Sequence, residues 1–217
     1  MRTLLKTEAD YSIADWQVEK KPVAYEHAVS FMENRVRMIR EHGASDLFWL
    51  LEHPPLYTAG TSANVKDLID PAFPVYHTGR GGQYTYHGPG QRVIYAMVDL
   101  QKRDSDLRRY ICNLEEWMIL ALKHFDVRGE RRAGRIGIWV RTKSSEAKIA
   151  AIGVRVRKWV AYHGVSINLN PDLSHYNGIV PCGIKDYGVT SLQALGIKAS
   201  MPELDEALHR SRNTVFA

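Results

Sequence analysis

Two cysteines occur in 217 residues, and one of them has surroundings suited to chemistry. Cys182 lies in Val180-Pro-Cys-Gly-Ile184. Pro181 restrains the incoming backbone, and Gly183 lets another group approach the thiol and its neighbouring amides. Such surroundings suit a nucleophile beside an oxyanion site, although a free cysteine is more often a small buried apolar side chain. Cys112 is an internal control: it falls mid-helix, off the apolar stripe, with no glycine nearby. Lys148 opens the strand-like run Lys148-Ile-Ala-Ala-Ile-Gly-Val-Arg-Val156. Strand parity puts it on one face with Ala150, Ile152, Val154 and Val156, opposite Gly153 and Arg155. There it either snorkels out at the strand end or is desolvated, becoming a base or a cation that favours a thiolate. Gly153, interrupting a branched run, implies close approach by another group.

The densest signal is Arg80-Gly-Gly-Gln-Tyr-Thr-Tyr-His-Gly-Pro-Gly-Gln91, with four glycines in twelve residues. Free amides in such a loop can cradle an anion or an acyl carbonyl, and the same glycines also serve tight turns. The loop is neither a dinucleotide fingerprint nor a P-loop, since no G-x-G-x-x-G leads into a helix and no Gly-Lys-Ser/Thr is present. The nine histidines include no HExxH and no His/Cys cluster, so no metal is expected. His53, His77, His87 and His163 each follow or interrupt a predicted strand and read singly as structural. His87 stands apart inside the glycine-rich segment.

These groups need a scaffold. The periodicity predicts a helix over Pro22–Gly43, with Ala24, Ala28, Phe31, Met38 and Ile39 on its stripe, and a strand over Asp46–Glu52 ended by Pro54-Pro55. Val75–His77, Gln83–His87 and Val93–Val98 read as a glycine-punctuated meander. Asp106–Phe125 returns to helix, with Tyr110, Leu114, Trp117, Met118, Ala121 and Phe125 on its stripe. Strand-like runs follow at Ile136–Val140, Lys148–Val156 and Val160–Leu169, then a short helix from Pro171 and a last one near Pro202. Strands broken by helices without βαβ alternation predict an α+β fold with a mixed β-sheet packed with helices, in a single domain spanning 1–217.

Composition bounds the rest. Hydrophobic content of 45% and charged content of 24% are globular values. No apolar run approaches the ~20 residues of a membrane span. Lys6, Glu8 and Asp10 interrupt any signal-peptide core, and two cysteines make no disulfide framework, so a cytoplasmic location is expected. The net charge of +5 gathers in two regions, Lys102, Arg103, Arg108 and Arg109, then Arg128, Arg131, Arg132, Arg135, Arg141 and Lys143. No nucleic-acid-reading module accompanies them, and an acidic protein is the partner such patches fit.

Taken together, Arg80–Gln91, Lys148-Ile-Ala-Ala-Ile-Gly153 and Val180-Pro-Cys-Gly-Ile184 resemble the lipoyl(octanoyl) transferases of lipoate biosynthesis. Leu51-Glu-His-Pro-Pro55, His163-Gly164, Asn168-Leu-Asn170 and Val189-Thr-Ser-Leu192 add to the match, in the family's order. The resemblance implies a fold like that of the biotin and lipoate protein ligases. It implies transfer of an octanoyl group from octanoyl-acyl carrier protein to a lysine of lipoyl domains, those of 2-oxoacid dehydrogenases and of the glycine cleavage H protein. It needs no cofactor, no nucleic acid and no membrane. Carried over, Cys182 holds the acyl group as a thioester, and Lys148 lowers the thiol pKa and serves as acid and base. Arg80, Gly81, Gly82, Gln83, Tyr84, Thr85, Tyr86 and His87 would line the acyl pocket, with Ala151, Ile152, Gly153, Gly164, Val165 and Ser166. An ATP-dependent lipoate or biotin ligase on the same fold is the alternative. The chain departs from the family at Arg92, where a small or apolar residue is usual, at Ala96, where Pro is common, and at Thr78-Gly79, where Thr-Asp is frequent.

Overall fold

A computed structural model describes residues 14–143, 145–180 and 187–216. Eleven strands among them are β1 (Asp15–Val18), β2 (Leu47–Leu51), β3 (Leu56–Ala59), β4 (Val75–His77), β5 (Tyr84–His87), β6 (Gln91–Asp99), β7 (Glu130–Arg132), β8 (Arg135–Arg141), β9 (Glu146–Arg157), β10 (Val160–Asn168) and β11 (Gly188–Val189). The helices are α1 (Tyr25–His42), α2 (Leu107–Lys123) and α3 (Met201–Phe216). A large mixed sheet runs β1-β2-β6-β10-β9-β8-β7, with β11 added beside β9, and a small sheet runs β4-β3-β5.

Both faces of the large sheet are covered, which explains the unbroken apolar runs of its central strands. Leu47, Trp49 and Leu51 of β2, with Val93, Tyr95 and Met97 of β6, pack under α1. Phe48 and Leu50, with Ile94, Ala96 and Val98, pack under α2 and α3. The α1 stripe is Tyr25, Ala28, Met32, Val36 and Ile39, rotated from the predicted one so that Phe31 and Met38 sit at its margins. Gly43 closes that helix in the left-handed conformation. On α2 the stripe holds as expected through Ala121, and the helix ends at Lys123, before Phe125. Arg92 is buried and grips Asp205 of α3 through Nε and Nη2, both at 2.8 Å. This fork fastens α3 to the sheet where an apolar residue would have left Asp205 unpaired.

Two expectations change. The predicted meander is split: β4 pairs parallel and β5 antiparallel with β3, whereas β6 belongs to the large sheet. Strand β3 was hidden because Pro54-Pro55 reads as a terminator and not as a corner between sheets. Second, simple parity fails in β9. Ile138 faces Ala150 while Trp139 faces Lys148, so Ile149 is an extra residue and forms a β-bulge. Ile149 and Ala150 both enter the α2 core, and Ile152, Val154 and Val156 pack against it. Lys148 therefore shares the opposite face with Ala151, Gly153 and Arg155, the set parity had placed across from it.

Candidate active site

Beyond Ala150, β8 no longer pairs with β9, and the glycine-rich segment takes its place. The Gly81 N–H donates to Val154 O at 2.9 Å. This close approach depends on Gly153, where a Cβ would lie 3.0 Å from Arg80 Cδ and 3.1 Å from Gly81 O. Arg80 is buried and organises the segment. Its Nη2 donates to Thr58 O, Thr58 Oγ1 and Gln83 O, and its Nη1 to Gly81 O. Farther along, Gly90 adopts φ 83° and donates to Glu52 Oε1, while its carbonyl accepts from Leu169 and Asn170. The Leu51–Pro55 and Asn168–Asn170 matches thus meet around one turn.

A cavity of about 450 Å³ opens along this edge of β9, within the range of ligand sites, roughly 300–1,000 Å³. Arg80, Gly81, Gly82, Gln83, Tyr84, Thr85 and His87 line it, as do Ala151, Ile152, Gly153, Gly164, Val165, Ser166 and Lys148. Tyr86 does not. The alternation of β5 turns it into the small-sheet core against Tyr57 and Phe73, where its hydroxyl hydrogen-bonds His175 Nδ1 at 2.8 Å. Further lining comes from Tyr25, Tyr95, His163, Leu107, Ile111 and Ile136. Leu107 and Ile111 are spaced i, i+4 on α2 but off its core stripe, a signal of a second apolar contact that the sequence reading passed over.

Lys148 is buried, with Nζ 4.9 Å from the centre of the Trp139 ring and its stem against Gly137. Gly137 has φ 111°, and a Cβ there would lie 2.6 Å from Ala150 O, so glycine makes the room. Among the described residues Lys148 forms no ion pair. It also borders a narrow cleft with Thr85, Ser166, Tyr187, Gly188 and Val189. Strand β11 runs parallel to β9 with Val189 opposite Lys148, and the Thr190 N–H donates to Lys148 O at 2.9 Å. Cys182 and the rest of Pro181–Ile184 lie outside the described residues. Cys112 is exposed on α2.

Besides Arg80, Arg135 and Lys148, the cavity wall carries His87 and His163, with His53 packed against His87 and Tyr95. His53 donates from Nδ1 to Val23 O and accepts the Tyr95 hydroxyl at Nε2, at 2.6 and 2.7 Å. Burial pushes its pKa down to about 4. His87 is lowered to about 3 by burial and by its neighbour His53, and His163 to about 3 by burial and by Arg80. Burial raises the phenol of Tyr95 well above its ordinary value. His163 and Gly164 adopt φ 59° and 154° in the middle of β10, a local distortion at the cavity wall. Among the described residues no group of three or more potential ligands could hold a metal ion, and no helix is long and apolar enough to cross a membrane.

Residues 24–211 match the sequence profile of the lipoyl protein ligase A/B catalytic domain. The chain is 59% identical to an octanoyltransferase of Paramagnetospirillum magneticum, covering 93% of this chain and 96% of that one. It is 53% identical to an octanoyltransferase of Brucella melitensis, covering 98% and 84%. In fold it is similar to a bipartite lipoate protein ligase of Thermoplasma acidophilum, with TM-score 0.74, 14% identity and coverage of 93% and 83%. A biotin protein ligase of Aquifex aeolicus has TM-score 0.54 at 13% identity, with coverage of 94% and 69%. The mixed sheet packed with helices is the architecture these ligases share.

Proposed function

As the chain belongs to the lipoyl protein ligase A/B catalytic domain family, we propose that this acyltransferase moves an octanoyl group from octanoyl-acyl carrier protein to a lysine of lipoyl domains through a Cys182 thioester. One observation carries the reading. A single cavity joins the glycine-rich segment, Ala151–Gly153, Gly164–Ser166 and Lys148, with β11, just past the Cys182 segment, paired alongside Lys148. High identity to proteins named octanoyltransferase supports it.

The chemistry runs in two halves. The Cys182 thiolate attacks the donor carbonyl, a C–S bond forms to Sγ, and the donor C–S bond breaks. The leaving thiolate takes its proton from Lys148. In the second half the acceptor amine attacks the new thioester, an amide forms, and Cys182 leaves as thiolate while the amine proton returns to Lys148. Thiol exchange is nearly balanced, amide formation draws the sequence forward, and no ATP is consumed. Apolar wall residues such as Ala151 and Ile152 would stabilise the chain by about 0.8 kcal/mol per buried CH₂.

The test is to mix the protein with octanoyl-acyl carrier protein, without ATP, and weigh it. The expected result is a mass gain of one octanoyl group in the wild type and none in Cys182→Ala. A Cys182→Ala variant that turns over at the wild-type rate would falsify the thioester, and transfer that requires ATP would point to ligase chemistry.

A further inference from the structure

Beneath the cavity, buried side-chain hydrogen bonds run from Arg80 to the Thr190 carbonyl, and the Thr190 N–H in turn holds Lys148 O. Arg80 can only donate, and its Nη2 gives to Thr58 Oγ1 at 2.6 Å. Asn168 Nδ2 donates to Thr190 O at 2.9 Å. That amide's oxygen accepts from Gln91 Nε2, also at 2.9 Å. Gln91 therefore presents Oε1 to His87 Nδ1, at 2.7 Å, so that nitrogen must carry the proton. A neutral His87 ring then has Nε2 as acceptor, and the remaining partner is the Thr58 hydroxyl at 3.4 Å. Finally, the Thr190 N–H donates to Lys148 O. Thr58, His87, Gln91, Asn168 and Thr190 are all buried.

The placement of Asn168 gives the series a mechanical meaning. It is the last residue of β10, and β11 takes over beside β9 where β10 stops. Its side chain and its carbonyl, which accepts the Leu192 N–H at 3.0 Å, clamp the chain just after β11. We propose that Gln91 and Asn168 are positioning residues, which couple the acyl-binding segment at Arg80–His87 to the backbone of Lys148 and hold β11 against it. This rests on the proposed acyl transfer and adds residues to which that reading assigns no part. Asn168 fixes the Thr190 carbonyl, and the covalent backbone of Thr190 carries that placement to the N–H on Lys148 O.

Asn168→Asp keeps the side-chain shape and the acceptor for Gln91 but removes the donor to Thr190. With an octanoyl N-acetylcysteamine thioester, acylation of Cys182 should slow on the order of tenfold. Binding of octanamide, which has no leaving thiol, should stay within about twofold, since the cavity wall is untouched. The pH profile of Cys182 alkylation by iodoacetamide should shift as Lys148 loses its place. A folded variant with wild-type acylation and an unshifted profile overturns the proposal. So does an equal loss of octanamide binding, which would confine the series to the acyl pocket. Should Asn168→Asp not fold, nitrogen chemical shifts of the wild-type His87 ring decide: Nδ1–H is required, and Nε2–H overturns the direction. A wild-type protein that is never acylated at Cys182 refutes the proposed function instead, and the His87 tautomer still tests the series.

Discussion

Lys148 owes its position to one extra residue. The bulge at Ile149 takes Ile149 and Ala150 into the α2 core and leaves the lysine facing the cavity, under the Trp139 ring and beside β11. Its type and its neighbourhood in sequence were legible. Its face was not, because a period of two cannot register an insertion. Arg80 has a second role that its place in the glycine-rich segment does not reveal. It lines the cavity, yet its guanidinium holds the loop's own carbonyls, so it shapes the site as much as it charges it. If Lys148 is the acid and base, Lys148→Ala should slow formation of the Cys182 thioester by roughly 10²–10⁴. The same change should raise the apparent pKa of Cys182 alkylation. Quenched-flow acylation and an alkylation rate series across pH measure both, and an unchanged pH profile removes Lys148 from that role.

Among the elements, the helices were the most readable, since Tyr110, Leu114, Trp117 and Met118 recur at the helical period on α2. The small sheet was least readable. Its strands are short, β3 starts behind two prolines, and its partner β5 lies across a glycine-rich segment. The predicted lining of Ala151–Gly153 and Gly164–Ser166 meets in space because β9 and β10 pair Gly153 with Gly164. The two segments are consecutive strands joined by a tight turn, and it is the antiparallel register that brings them together, which periodicity alone does not supply. Gly164 also has a fixed role in β10: at φ 154° a Cβ would collide with the Ile94 carbonyl and press on Ala96 N at 3.2 Å. Gly164→Ala should therefore destabilise the fold by about 1–3 kcal/mol, through strain and overpacking against backbone. Urea unfolding reads this directly, and an unaltered midpoint would contradict it.

For the molecule as a whole, part of the basic charge is paired within the fold. Arg131, Arg132 and Arg135 are held by Glu115, Glu116, Glu130 and Glu146, so one of the two basic regions is a paired network. Acid is the sharper global stress. In the unfolded chain a histidine takes up a proton near 6.5. In the folded chain His53 resists to about 4, and His87 and His163 to about 3. Between these values the unfolded state binds more protons, so stability falls with pH by about 1.4 kcal/mol per unit for each histidine. Above the ordinary histidine range these groups contribute no slope. The carboxyls of Asp46 and Asp205, raised by burial, pull the other way at lower pH. Denaturant midpoints should be flat from pH 8 to 7 and drop steeply between 6.5 and 4, and a level profile in that window would refute the burial of three neutral rings. The hydrogen-bond series from Arg80 to Lys148 has a further consequence, one of timing. Its links join Thr58, Gln91, Asn168 and Thr190, the two amides lying 77 positions apart. During synthesis from the N-terminus, the acyl-binding loop emerges well before the residue that completes the clamp. A nascent chain halted before Thr190 holds cavity residues with no fixed β11 beside Lys148, so the site is finished late.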